Sequence, residues 1–263
     1  MSNAVNEIIT NADYLVLLLF RVGGLIFSSP VFGRKNIPNR AKIGLVAIIS
    51  YLFFTIFPQQ AAIEYSTLGG YFIVCAGELL LGIALAFVTN IFFSLTFVAG
   101  QLIDMQIGFG IVNVYDPQNN SQIPMMGNLL NIILLIVFFG ANGHLRLIQI
   151  IHLTIEKMPV GALAFSPGLA LAAVEVFAMS FMLGVMVAMP VIASGLILEI
   201  AFGALIRTVP QMNMFVVGMP IKVLVGFVVV MFTLPAFIGF SDRIFSEMFL
   251  GIEKLFGTFA VVS

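Results

Sequence analysis

Charge is what this chain has least of. Asp, Glu, Lys and Arg together make up 9% of 263 residues, against about 25% in an ordinary globular protein. A compact fold cannot cover itself with solvated side chains at that level. Tryptophan is absent, and Cys75 is the lone cysteine, so an intrachain disulfide and a cysteine-based zinc cluster are excluded. The two histidines, His144 and His152, lie eight apart with no cysteine or paired carboxylate near them, so no metal site is expected. An excess of base is also missing: 11 Lys and Arg against 12 Asp and Glu leave a net charge of −1. Nucleic-acid binding needs a basic patch, and steering of a charged ligand needs a global field. Neither is here. A cytosolic enzyme is excluded by the same poverty of charge, and disorder by a hydrophobic content of 61%.

What is present is apolar length. Ile43–Ile63, Leu79–Ile103, Met125–Gly143, Val176–Leu198 and Val223–Ser241 carry no charge, and Tyr14–Phe32 is interrupted only by Arg21. A spanning helix needs about 20 apolar residues, so hydropathy alone draws about six spans. Glu7 and Asp13 precede the first run with no Lys or Arg, so a cleaved signal peptide is not expected.

Several features argue against a regular six-span bundle. Arg34, Lys35, Arg40 and Lys42 crowd the first loop, which the positive-inside rule makes cytoplasmic. Beyond that loop the bias vanishes: Asp104–Pro124 has no base, while Gly140–Pro167 has Arg146 and Lys157. The helical pattern of Gly70–Ile103 is 34 residues long, roughly 51 Å against a hydrocarbon core of about 30 Å. Glu78, Asp104, Glu175, Glu199, Arg207 and Lys222 sit in apolar context. A charge facing lipid costs at least about 2.5–3.5 kcal/mol, so these residues point to packed protein interfaces or an aqueous path.

Two segments resemble one another. The first has Glu78, then Gly100, Asp104 and Gly108 at intervals of four, then Pro117-Gln-Asn-Asn. The second has Glu175, then Gly195, Glu199 and Gly203 at the same intervals, then Pro210-Gln211-Met-Asn213. Residues four apart share a helix face, and small residues let another backbone approach. The central acid is then expected to meet a donor from the approaching helix. Each proline ends the helix before it, and the polar residues after it suit a turn. The repeat-like units cover about 71–124 and 168–220 of what is otherwise a single subunit, 1–263. In the first, apolar residues are interleaved with turn formers: Gly108, Phe109, Gly110, Ile111, Val112, Asn113, Val114, Tyr115, Asp116 and Pro117. Hinged at its glycines and apolar at its tip, such a segment suits a constriction that it can fill and vacate, or a rim on which it packs.

The residues alone leave two readings open, a structural channel subunit and a secondary transporter in which Glu78, Glu175 and Glu199 bind protons. No catalytic constellation stands out, because the acids are scattered over different helices. The 14 Met residues are expected mainly to fill core gaps. Glu199 and Arg207 are expected at an inter-subunit contact, and Arg21, alone in the first helix, to meet an acid of a neighbour.

Phe20-Arg21-Val-Gly23, Pro30-Val-Phe32-Gly33, Pro38, Arg40, Gly77-Glu78, Gly82, Gly100 through Gln106-Gly108, Asp116-Pro117, Pro190, Gly203, Arg207, Pro210-Gln211, Asn213-Met-Phe215 and Pro220 stand in an order and spacing that resembles the FliR family. That family supplies a component of the bacterial flagellar export gate and is related to the T component of virulence type III secretion systems. The resemblance implies an all-α integral membrane protein without enzymatic activity or cofactor. It implies tilted, partly broken helical hairpins with an internal FliP-like and FliQ-like organisation. It further implies a complex with FliP and FliQ in the bacterial inner membrane at the flagellar basal body, FlhB and FlhA as further partners, and unfolded flagellar proteins passing through. The family's plug loop corresponds to Gly108–Gln122, and Arg21, Glu78, Gly100, Asp104, Glu199, Gly203, Arg207, Pro210, Gln211 and Asn213 fall to inter-subunit or helix packing.

Overall fold

The computed structural model describes residues 11–57, 67–109, 124–161, 163–165, 168–211 and 213–261. Among them are seven helices and one pair of short strands: α1 (Ala12–Ser28), α2 (Asn39–Ile56), α3 (Leu68–Ile107), α4 (Met125–Gly140), α5 (Gly143–Lys157), β1 (Leu163–Phe165), α6 (Gly168–Thr208), α7 (Met214–Phe256) and β2 (Phe259–Val261). The protein is all-α, with β1 and β2 forming a single antiparallel rung set in the register Leu163↔Val261.

The sequence marks most of the boundaries. Asp13 in the first turn of α1 complements the helix dipole. The helix closes with the Ser29 N–H on the Leu25 carbonyl at 2.9 Å, one residue before Pro30, which has no N–H to continue the ladder. Pro38 precedes α2. The end of α3 is a glycine cap: Gly108 has φ 100° and donates to the Asp104 carbonyl at 3.1 Å, a conformation that favours glycine. α6 stops at Thr208, just before Pro210. Three prolines nevertheless lie inside helices: Pro190 in α6, and Pro220 and Pro235 in α7.

Among the described residues four helices, α2, α3, α6 and α7, are long and apolar enough to cross a membrane, or five spans result if α4 and α5 count as one bent span. The six of simple hydropathy are not found among the described residues. α1 has 17 residues, with Arg21 in its middle. Met125–Gly143 is not one rod either: α4 ends at Gly140, Asn142 turns left-handed at φ 56°, and α5 begins at Gly143. The long helices exceed expectation. α3, α6 and α7 have 40, 41 and 43 residues, about 60–65 Å each at 1.5 Å per residue. Their charges are the reason that hydropathy understated them, since Glu175, Glu199 and Lys222 lie within the helices rather than at their ends.

The chain divides into two compact units, each made of distant segments: described residues of 1–91, 139–176 and 247–263 form one, those of 92–138 and 177–246 the other. In the first, α1 is the centre, with Leu17, Leu18 and Val22 fully buried. α2 packs on it through Ser50, whose hydroxyl reaches the Leu18 carbonyl at 3.4 Å, and α5 closes on α2 with His152 edge-on to Phe57 at 4.8 Å. α3 crosses α1 at Gly24 and Gly82. A Cβ on Gly82 would lie 2.2 Å from the Arg21 carbonyl oxygen, and one on Gly24 2.5 Å from that of Leu79. In the second unit, Phe138 of α4 stands edge-on to Phe93 of α3 at 5.4 Å and to Phe245 of α7 at 5.3 Å. Asn131 there donates to the Phe93 carbonyl and the Thr96 hydroxyl at 3.3 and 3.2 Å, so a buried amide is satisfied.

Backbone, not a flexible side chain, blocks a methyl at Gly82. Gly82→Ala is therefore expected to destabilise the protein by about 1–3 kcal/mol or more, as overpacking does, read as a lower temperature for loss of monodisperse protein in detergent. Gly77→Ala on the same helix, where a Cβ meets nothing within 4 Å, should leave that temperature unchanged.

Candidate functional site

In the first unit, Arg21 of α1 and Glu78 of α3 are both fully buried. The guanidinium meets the carboxylate fork to fork, Nε on Oε2 at 2.5 Å and Nη2 on Oε1 at 3.0 Å, the strongest geometry for such a pair. Nη1 donates to the carbonyls of Thr154 and Met158 at 3.1 and 3.2 Å. These belong to the end of α5, where carbonyls carry the negative end of the dipole; that of Thr154 also accepts the Met158 N–H at 3.0 Å, and that of Met158 lies just past the helix. Glu78 Oε1 also accepts the Gly161 N–H at 2.8 Å, from a residue held at φ 96°. One ion pair thus ties α1, α3, the end of α5 and the turn before β1. Arg21 and Gly24 lie on one face of α1, Glu78 and Gly82 on one face of α3, so the glycine crossing brings the two ions within reach.

In the second unit the last turns of α3 form the base of the segment that begins at Gly108. A Cβ on Gly100 would lie 2.0 Å from the backbone nitrogen of Gly127 in α4. One turn on, both carboxylate oxygens of Asp104 accept the Met126 N–H, at 3.3 and 3.4 Å. That N–H is one of the orphan donors of the α4 N-terminus, so an acid on one helix caps the next. A Cβ on Gly195 of α6 would collide with the Gln106 side chain, and one on Gly226 of α7 would lie 2.6 Å from Ile107. Three glycines from three helices therefore close on Gly100–Ile107. Phe109, the last described residue of the segment's start, stands edge-on to Phe227 at 5.6 Å.

The remaining expected residues are placed differently. Glu199 pairs with Lys222 of α7 at 2.6 Å, with their side chains 51% and 21% exposed. Glu175 pairs with Lys254, both exposed. Arg207 is exposed in the last turn of α6, and Gly203 is open, with nothing within 4 Å of an added Cβ. Pro210 and Gln211 are exposed in the turn between α6 and α7, and the Asn213 carbonyl accepts the N–H groups of Val216 and Val217 at 3.1 and 3.3 Å. Gly110, Ile111, Val112, Asn113, Val114, Tyr115, Asp116 and Pro117 lie outside the described residues, as do the remaining positions to Gln122.

The acid that Arg21 meets is in its own chain. The early glutamate of each similar segment meets a base, and the later acid meets a donor from the next helix, but only Glu78 and Asp104 are buried. Sequence reading missed Gly24, Gly127 and Gly226, which stand among many other glycines. It also missed Thr154, Met158 and Gly161, which contribute backbone atoms and leave no side-chain signal.

Glycine-tight crossings, ion pairs closed within a charge-poor chain and helices longer than a bilayer is thick define an all-α integral membrane protein. Residues 13–248 match the family model described as bacterial export proteins, family 1. The chain belongs to this FliR family. It is 30% identical over 231 residues to the flagellar biosynthetic protein FliR of Escherichia coli, covering 88% of each chain. To its namesake in Bacillus subtilis it is 28% identical over 261 residues, 98% of this chain and 99% of the relative.

Removing one member of a buried pair strands the other, at about 3–5 kcal/mol. Arg21→Met and Glu78→Leu should each sharply lower the yield and thermal stability of the detergent-solubilised protein. The double variant should recover part of the loss, not all, because the Met158 carbonyl and the Gly161 N–H lose the side chains they bond. Additive losses would mean that the two side chains act independently.

Proposed function

We propose that the chain is a non-enzymatic subunit of the flagellar type III export gate, forming a protein-conducting channel with FliP and FliQ in the bacterial inner membrane. FlhB and FlhA are its further partners, and unfolded flagellar proteins its cargo. Family membership supports the export role, and the flagellar names of the matched relatives favour the flagellar over the virulence system. The observation that carries the assembly is the bareness of the longest helices. In their most apolar windows α6 and α7 are only 28% and 17% buried, yet each is about twice the length of a bilayer crossing. Lipid covers about half of such a helix. The rest, including the exposed Glu199–Lys222 pair and Arg207, requires protein.

In this reading the segment from Gly108 to Gln122 closes the pore, and Asp104, Gly100, Gly127, Gly195 and Gly226 fix its base. Its apolar residues seal against ions and its glycines allow it to move aside for a passing chain. Arg207, Gly203, Pro210, Gln211 and Asn213 serve subunit contacts at the α6–α7 turn.

Expression alone and together with FliP and FliQ tests the assembly. The chain should be poorly recovered alone and monodisperse in the complex, and Glu199→Ala should lower recovery of that complex. A stable, substrate-binding species from solo expression would instead favour a transporter.

The plug role has a separate measurement. Deletion of Val112–Asn120 should leave assembly intact and raise small-ion conductance across the membrane. Unchanged conductance together with unchanged secretion would remove it.

A further inference from the structure

The first loop carries four bases, and the structure sorts them into two kinds. Lys42 is buried and donates Nζ to the Gly33 carbonyl at 2.9 Å, while Arg34 is half-buried with its Nε on the Pro30 carbonyl at 3.1 Å. These two build the loop. The turn they hold is tight: Gly33 donates to the Ser29 carbonyl at 2.7 Å, and a Cβ there would lie 2.4 Å from the Phe27 carbonyl oxygen. Lys35 and Arg40 are instead exposed, and neither enters any of the three ion pairs among the described residues. No acid occurs between Tyr14 and Ile63 to neutralise them.

Arg40 opens α2, and the outer side of the helix beyond it is aliphatic and aromatic: Ile43, Ile48, Tyr51, Leu52 and Ile56 are 45–62% exposed. The opposite face, with Val46, Ile49, Ser50 and Phe53, is buried. The outer stripe therefore begins with two cations, Lys35 on the fixed loop and Arg40 in the first turn of α2, and continues as hydrocarbon. Among the four candidate spans α2 alone has a length that matches a bilayer, with 18 residues against 40 or more, or about 27 Å against about 30 Å. Lipid can cover it from end to end.

From this we infer that Lys35 and Arg40 bind the phosphate of an anionic phospholipid, whose acyl chains lie along the outer stripe of α2. The headgroup supplies the missing negative charge and the chains cover the exposed side chains, so one amphiphile meets both needs. A zwitterionic lipid covers the stripe but carries its own ammonium against the bases. The inference rests on the membrane reading and is independent of the channel role, so the two can fail separately.

The test uses the full chain as purified from membranes with its co-purifying subunits, stripped of lipid in detergent. It is titrated with phosphatidylglycerol, phosphatidylethanolamine and inorganic phosphate, with bound lipid read by native mass spectrometry. Phosphatidylglycerol should bind at least about tenfold tighter than phosphatidylethanolamine. The double variant Lys35→Gln, Arg40→Gln should weaken phosphatidylglycerol about thirtyfold, which is two charges at about 1 kcal/mol each. The exchanged variant Lys35→Arg, Arg40→Lys should bind as the native chain does, and Arg243→Gln, an exposed base of the other unit, should change nothing. Equal binding of the two lipids would overturn the inference, as would unaltered binding in the double variant. So would displacement of the lipid by inorganic phosphate, or an acidic protein found bound to Lys35 and Arg40 in its place.

Discussion

A buried charge has to be answered inside the fold, and the first unit is organised around one such answer. Arg21 sits at the centre of α1 with no exposure, and every group that satisfies it comes from another element. The desolvation cost of the two ions is large enough that the Coulomb attraction offsets it only with good geometry and further hydrogen bonds. Both conditions are met, by the fork-on-fork pair and by backbone groups of α5 and the turn at Gly161. The glycines at the α1–α3 crossing serve the same need. With a methyl at Gly82 the backbones would part, and Arg21 and Glu78 would separate with them.

The second unit is built on the same logic with less charge. Asp104 answers the N–H of Met126, and Gly100 and Gly127 provide the approach. Gly195 and Gly226 then make room for Gln106 and Ile107, which a methyl at either glycine would displace. Close backbone packing by small residues is the means of helix association where water cannot drive it. Here it places a rigid helix end directly before a glycine with positive φ. Rigidity up to Ile107 and a change of direction at Gly108 is what a segment needs if it is to be presented at a fixed place.

Much of this was legible in the sequence, for physical reasons that can be named. The spacing of four that places Gly100 and Asp104 on one face foretold both the approach of another helix and a donor for the acid. Poverty of charge and the overlong run before Asp104 foretold long helices at odds with six spans. The fate of Arg21 was half legible: the need for an acid is chemical, but the choice of Glu78 is tertiary. For Glu199 the same spacing gave a different result, an exposed pair beside an open Gly203, because periodicity fixes a face and not what covers it. The break at Asn142 was hidden, since a left-handed asparagine between two apolar helices disturbs hydropathy by only a residue or two. Backbone partners such as Thr154 and Met158 are invisible to any reading of side chains.

The order of these contacts along the chain has a consequence for synthesis. Arg21 leaves the ribosome 57 residues ahead of Glu78 and 133 ahead of Thr154. At translation rates of about 5–20 residues per second, α1 exists for about 3–11 seconds without its acid, and more than twice as long without α5. For that interval a helix with an unanswered arginine cannot settle in hydrocarbon at low cost. It has to wait at the interface or beside the insertion machinery until α3 arrives. Helix α1 is therefore made well before it is secured: α3 brings its acid, and α5 later brings the carbonyls that complete its shell.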